Sequence, residues 1–257
     1  MSKLLCATNR NSDLPLANTM PSLIQLRILG HTAALAMHLV NSAVMFGQMM
    51  GDIVKRDKEV RTMVSLQGQY LTVWNIGFQM FYSSLALGCD LLTVMKKDNM
   101  LPKFVIKFRS KFFETIVFPG TVLIFLLFWP IYLYDRSLIF PEFIDRIFSQ
   151  KSNLVMHLGI LPVVLWELVL LPRTTPKSHK LNIKILTAYY TAYNIVLLYT
   201  YAQRGLWPYP LFGLIYGTIY FPLFLINLFF LTLLAYYSQW PVNSFLWESK
   251  KLNVKEQ

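Results

Sequence analysis

Thr72 opens a stretch in which polar residues recur at helical spacing. Over residues 70–95, Thr72, Asn75, Gln79, Ser83 and Asp90 fall on one face of a helix. Thr72 and Asp90 are 18 residues apart, which is five whole turns. A threonine hydroxyl becomes a nucleophile only when a base removes its proton. A neutral imidazole within about 2.6–3.2 Å can do that, and His157 is a histidine inside another expected span. Residue types alone favour a plainer reading, in which a threonine of a membrane helix bonds to its own backbone or to a neighbouring helix. His157 has the stronger case, because an ionisable group within a membrane is costly. Its plain alternative is a core histidine bonded to a backbone carbonyl.

The other chemically capable residues sort as follows. His31, His38 and Ser42 share a helical face. The two histidines lie seven residues apart, about 10 Å along a helix, so they cannot ligate one ion together. Hydrogen bonds between helices outweigh a haem reading for them, and no metal or organic cofactor is implied. Asp90 and Glu167 are read either as a proton path or, preferably, as partners of nearby cations such as Lys96 or Arg173. The sequence has no Gly-rich phosphate loop, no Cys/His metal cluster and no GxSxG elbow.

The elements that must position these residues are membrane spans. The chain has 257 residues, 55% of them hydrophobic and 14% charged, against about 25% charged in a soluble domain. This composition gives an all-α, polytopic membrane helix bundle with six transmembrane helices. The expected spans are residues 23–50, 70–95, 112–134, 153–171, 181–201 and 211–237. Pro119, Gly120, Pro130 and Pro162 are possible kinks. Residues 1–22 and 238–257 read as tails flanking a six-span domain over residues 23–237, and the basic run 96–111 reads as a connection. Cys6 lies in a tail and Cys89 in a span, so no structural disulfide is expected. The formal net charge of +11 is a topology signal rather than a nucleic-acid footprint. Of 24 lysines and arginines, 16 lie in or beside the tails and the second and fourth connections, and 8 lie in the other three. Both termini are therefore expected in the cytosol. Thr72 and His157 then each start a span entering from the opposite side, about 3 to 6 Å below their helix starts. Two residues distant in sequence share one depth.

Several segments together carry a resemblance. They are Tyr70-Leu71-Thr72 with Asn75, the run FPGTVLIFLLFWPIYLYDRSLIFPEFID at 118–145, Asn153 with His157, Glu167, and GLWPYP at 205–210. They resemble the androgen-induced family of multi-pass membrane threonine hydrolases, which also includes an androgen-dependent regulator of tissue factor pathway inhibitor. The resemblance runs from the second span onward. It implies an integral-membrane lipid esterase that hydrolyses fatty acid esters of hydroxy fatty acids, with Thr72 as nucleophile and His157 as the essential histidine. The substrate would carry fatty acyl chains, and the membrane would be the endoplasmic reticulum or the plasma membrane. Asn75, one turn from Thr72, is a candidate oxyanion donor, and Asp135 is a candidate to orient His157. Two positions depart from the family pattern. Leu154 stands where the family has a middle histidine, and Gly68-Gln69 stands where Trp-Lys is usual. The alternative is a non-enzymatic regulator or scaffold acting through a membrane protein partner. A transporter is a third class, without the inverted repeats that would favour it.

Overall fold

The computed structural model describes residues 21–255, so residues 1–20 of the expected tail, Cys6 included, lie outside the described residues. Every regular element is helical among the described residues. The order is α1 (Pro21–Met49), α2 (Asp52–Arg56), α3 (Lys58–Ser65), α4 (Leu71–Val94), α5 (Lys103–Phe112), α6 (Phe118–Asp135), α7 (Gln150–His157), α8 (Ile160–Leu170), α9 (Lys180–Arg204), α10 (Pro210–Ile215) and α11 (Tyr220–Lys255). Four stretches are long and apolar enough to cross a bilayer: Leu23–Met49, Lys103–Leu138, Gln150–Leu170 and Tyr220–Trp247. The helices α4 and α9, at 24 and 25 residues, have the length. Their composition is more polar. Asn75, Gln79 and Asp90 lie on α4, and Lys180, Asn182, Lys184 and Asn194 lie on α9.

The structure corrects the element boundaries at four places, each with a local cause. The basic run 96–111 is not all connection. Residues 103–112 are helical and continue into α6 through a π-helical turn, Phe113–Val117. Pro119 follows that turn and has no N–H to donate, and the wider turn relieves the clash its ring would otherwise make. The expected span 153–171 is two helices, α7 and α8, broken at Leu158-Gly159. Pro162 cannot donate to the Leu158 carbonyl, which weakens the helix at the point where it breaks. The expected span 211–237 is also two pieces. The chain turns at Gly217, where φ is +80°, before α11 begins. Finally, α11 continues past Tyr237, and Gln239 and Asn243 beyond that boundary are buried. Asn243 Nδ2 donates to the carbonyls of Leu168 (2.7 Å) and Leu171 (2.9 Å), which docks the extension on the end of α8.

In a bilayer, apolar surface gains little by leaving lipid for another helix. Association rests instead on close packing and buried polar contacts. Both are present here. The helix α1 lies along α4 and α8, α6 lies against α11, and α9 crosses the π-turn. Gly30 is where α1 meets α8. A Cβ there would fall 2.0 Å from Nε1 of the Trp166 indole, whose N–H donates to the Leu26 carbonyl at 3.1 Å. Residues 51–69, between the first two expected spans, fold into α2, α3 and a short 3₁₀ turn. Asp57 caps α3 by accepting from the amides of Glu59 (2.9 Å) and Val60 (3.2 Å). Arg146 pairs with it at 2.6 Å and holds the Asp57 carboxyl below the usual carboxylate range. Val60 and Met63 of α3 are buried over that end of the bundle.

Candidate functional site

The polar stripe of α4 faces inward along its whole length. Thr72, Asn75, Gln79, Ser83 and Asp90 are all buried. Thr72 is the second residue of α4, and the helix start is pinned from outside. The Leu71 amide donates to the phenol oxygens of Tyr193 (3.1 Å) and Tyr209 (3.0 Å), and the Tyr193 hydroxyl donates to the Gln69 carbonyl (3.1 Å). These bonds satisfy a first-turn amide that has no partner within its own helix.

Thr72 and His157 meet. Thr72 Oγ1 lies 3.2 Å from His157 Nε2. The other ring nitrogen, Nδ1, lies 2.7 Å from Asn153 Oδ1 and 3.2 Å from the Asn153 carbonyl, both acceptors. Nδ1 therefore carries the proton and Nε2 presents a lone pair to the threonine. Phe128 stacks on the imidazole with ring centres 3.5 Å apart and planes 5° from parallel. Trp129 Nε1 donates to the His157 carbonyl at 3.1 Å. The ring is thus fixed in orientation and tautomer, and the arrangement can take a proton from the Thr72 hydroxyl.

The two supporting candidates fare differently. Asn75 is buried one turn below Thr72. Its Oδ1 lies 3.0 Å from the Thr121 hydroxyl, and its Nδ2 is a buried donor without a partner. Asp135 is not at the site. It is exposed at the end of α6, where it accepts from the Ser137 amide (2.9 Å) and hydroxyl (2.6 Å). Its carboxylate is used in closing that turn, and Asn153 stands at the imidazole instead. Asn153 was missed as a partner, although its spacing of four from His157 puts both on one helical face. Leu154, at the position of the missing histidine, is exposed.

The pair opens onto a cavity of about 110 Å³ between α4, α6, α9 and α11. Its wall includes Leu123, Ile124, Phe128, Tyr189, Leu225 and Leu228, and no charged side chain lines it. Tyr209 and Phe212, on the segment after α9, line it as well.

The remaining buried polar groups serve contacts between helices. His38 Nε2 lies 2.8 Å from Gln79 Oε1, and Gln79 Nε2 donates to Thr121 Oγ1 (2.8 Å) and the Ile160 carbonyl (3.1 Å). His31 Nε2 lies 3.3 Å from Glu167 Oε2. Asp90 pairs with Arg27 (2.7 Å) and Arg109 (3.1 Å). Glu167 pairs with Arg109 and Arg173, each at 3.1 Å, and accepts a short hydrogen bond from Tyr82. The expected partner Arg173 is present at Glu167, whereas Lys96 is exposed.

The FAR-17a/AIG1-like protein family model matches residues 33–243. The chain is 38% identical over 148 residues to the androgen-dependent TFPI-regulating protein of Mus musculus, a match covering 57% of this chain and 63% of that protein. The Homo sapiens protein of the same name is 34% identical over 145 residues, covering 56% and 62%. The Homo sapiens androgen-induced gene 1 protein is 26% identical over 202 residues, covering 74% and 81%. The chain thus spans about 63% of the length of the first curated relatives it matches. No solved structure matches it. With the family model covering most of its length, the chain belongs to the FAR-17a/AIG1-like family.

Proposed function

We propose that this protein is an integral-membrane lipid esterase that cleaves fatty acid esters of hydroxy fatty acids through Thr72 and His157. The observation that carries the reading is the 3.2 Å contact between Thr72 Oγ1 and an imidazole oriented by Asn153, at the wall of an apolar cavity. The Thr72 oxygen attacks the ester carbonyl as its proton passes to His157 Nε2. The resulting oxyanion accepts from Asn75 Nδ2. Collapse breaks the ester C–O bond, and His157 returns the proton to the departing alkoxide. The hydroxy fatty acid leaves and an acyl-threonine remains. Water, deprotonated by the same nitrogen, then hydrolyses it. The uncharged cavity suits a hydrocarbon chain, each buried CH₂ contributing about 0.8 kcal/mol when it leaves water.

In this account α4 and α9 also cross the bilayer, giving six spans with both termini in the cytosol. The membrane is the endoplasmic reticulum or the plasma membrane. Tags at either end should be reachable by antibody once the plasma membrane alone is permeabilised. A protected C-terminus would contradict the six-span arrangement.

A second reading, a membrane regulator acting on a protein partner, draws on the name of the relatives, androgen-dependent TFPI-regulating protein. Activity-based labelling separates the two. A lipid-like fluorophosphonate should label the intact protein and fail to label Thr72→Ala. Equal labelling of both would count against a nucleophilic Thr72.

A further inference from the structure

We propose that the end of the bundle remote from Thr72, formed by residues 95–111 and 172–184, is a binding surface for anionic phospholipid headgroups. The proposal is independent of the esterase reading. Both segments emerge at the same end. The starts of α4 and α7 meet at Thr72 and His157, and the far ends of α4 and α8 meet where Arg109 bridges Asp90 and Glu167. Lys111 Nζ donates to Asn182 Oδ1 at 2.8 Å, which holds α5 beside the start of α9.

Seven lysines there are exposed: Lys96, Lys97, Lys103 and Lys107 on the first segment, and Lys177, Lys180 and Lys184 on the second. The two segments contain one acidic residue, Asp98. Their buried cations are already matched, since Arg109 and Arg173 pair with buried carboxylates. Among the described residues no ion pair involves any of the seven lysines. The opposite end is different. There Lys55 pairs with Asp52, Arg136 with Asp145, and Arg146 with Asp57 and Glu59. At that end residues 51–69 and 135–152 carry six acidic residues against seven lysines and arginines, whereas this end sets its seven exposed lysines beside a single acid.

Two further features fit a membrane surface. Met95, Met100, Phe104 and Phe108 are exposed among the lysines. This pattern lets apolar side chains enter the acyl boundary while ammonium groups reach phosphates. Residues 103–111 also begin the 36-residue stretch Lys103–Leu138, which at 1.5 Å per residue is longer than the bilayer core, so its charged start reaches the bilayer surface. The turn after α4 adds an independent sign. The amide of Lys97 bonds to the Leu92 carbonyl (2.9 Å) and that of Lys96 to the Thr93 carbonyl (3.0 Å), closing the helix with Lys96 at φ +56°. Glycine is the usual residue at such a helix end. A lysine held there in the left-handed region spends stability to present its charge. Anionic lipid is concentrated in the cytosolic leaflet, where such segments dock.

The full-length protein is to be reconstituted in nanodiscs of phosphatidylcholine, with and without phosphatidylserine, and its unfolding midpoint read. Phosphatidylserine should raise the midpoint, and added salt should reverse the rise. A Lys96→Gly, Lys97→Gln, Lys103→Gln, Lys107→Gln variant should lose most of the rise. Lys96→Gly alone should lose part of it while melting higher than the parent in phosphatidylcholine, because the backbone strain is gone. A Lys55→Gln, Arg56→Gln control at the other end should keep the full rise. Soluble phosphoserine should leave the midpoint unchanged. The proposal is overturned by a midpoint indifferent to phosphatidylserine, by an undiminished rise in the four-site variant, or by an equal rise with soluble phosphoserine.

Discussion

Arg109→Ala is expected to lose about 3–5 kcal/mol of stability, the size seen when one partner of a buried ion pair is removed. Arg109 is about 2% exposed and bridges Asp90 and Glu167, each at 3.1 Å. Its removal leaves two buried carboxylates short of a shared cation and opens the joint between α4, α5 and α8. Against a typical total of about 5–15 kcal/mol, that loss should lower the amount of folded protein recovered from membranes and its unfolding midpoint in detergent. Lys107→Ala, two residues earlier on the exposed side of α5, is the comparison. It should stay within about 0.5 kcal/mol of the parent. Equal midpoints for the two variants would show that the bridge does not hold the bundle.

This cluster was only half legible in the sequence. Asp90 and Glu167 called for cations, and Arg173 lay close enough in sequence to be named. Arg109 was hidden in a run of lysines that reads as a membrane-flanking connection, because charge density in a sequence does not distinguish a solvated cation from a buried one. Arg27 was hidden for the opposite reason, as a lone charge inside an otherwise apolar first helix. The stripe Thr72, Asn75, Gln79, Ser83 and Asp90 was fully legible, since helical spacing alone sets the face and lipid alone sets its direction. The meeting of Thr72 with His157 followed from shared depth. Helix breaks were less legible. Pro119 and Pro162 marked the places, but whether each gives a π-turn, a kink or a full break is decided by neighbouring helices. Asp135 drew attention because an acid beside a histidine is a familiar arrangement. The structure uses an amide, Asn153, one turn before the imidazole.

Thr72→Ala and His157→Ala are each expected to lower ester hydrolysis by about 10⁶-fold, which is to background, without loss of membrane expression. The two act as one unit, oxygen and base, so the double variant should be no worse than either single one. Thr72→Ser keeps the oxygen and should retain part of the activity. Thr72→Cys should retain less, because the longer C–S bond moves the attacking atom relative to Nε2 of the imidazole. Additive losses would mean that Thr72 and His157 contribute separately, for instance by holding α4 to α7, and not as nucleophile and base.

The most direct test is the rate at which membranes bearing matched amounts of parent or Thr72→Ala protein hydrolyse a fatty acid ester of a hydroxy fatty acid. The account predicts turnover by the parent and, for Thr72→Ala, the rate of membranes lacking the protein. Turnover near the parent's by a well-expressed Thr72→Ala protein would contradict it and leave the membrane regulator as the better description.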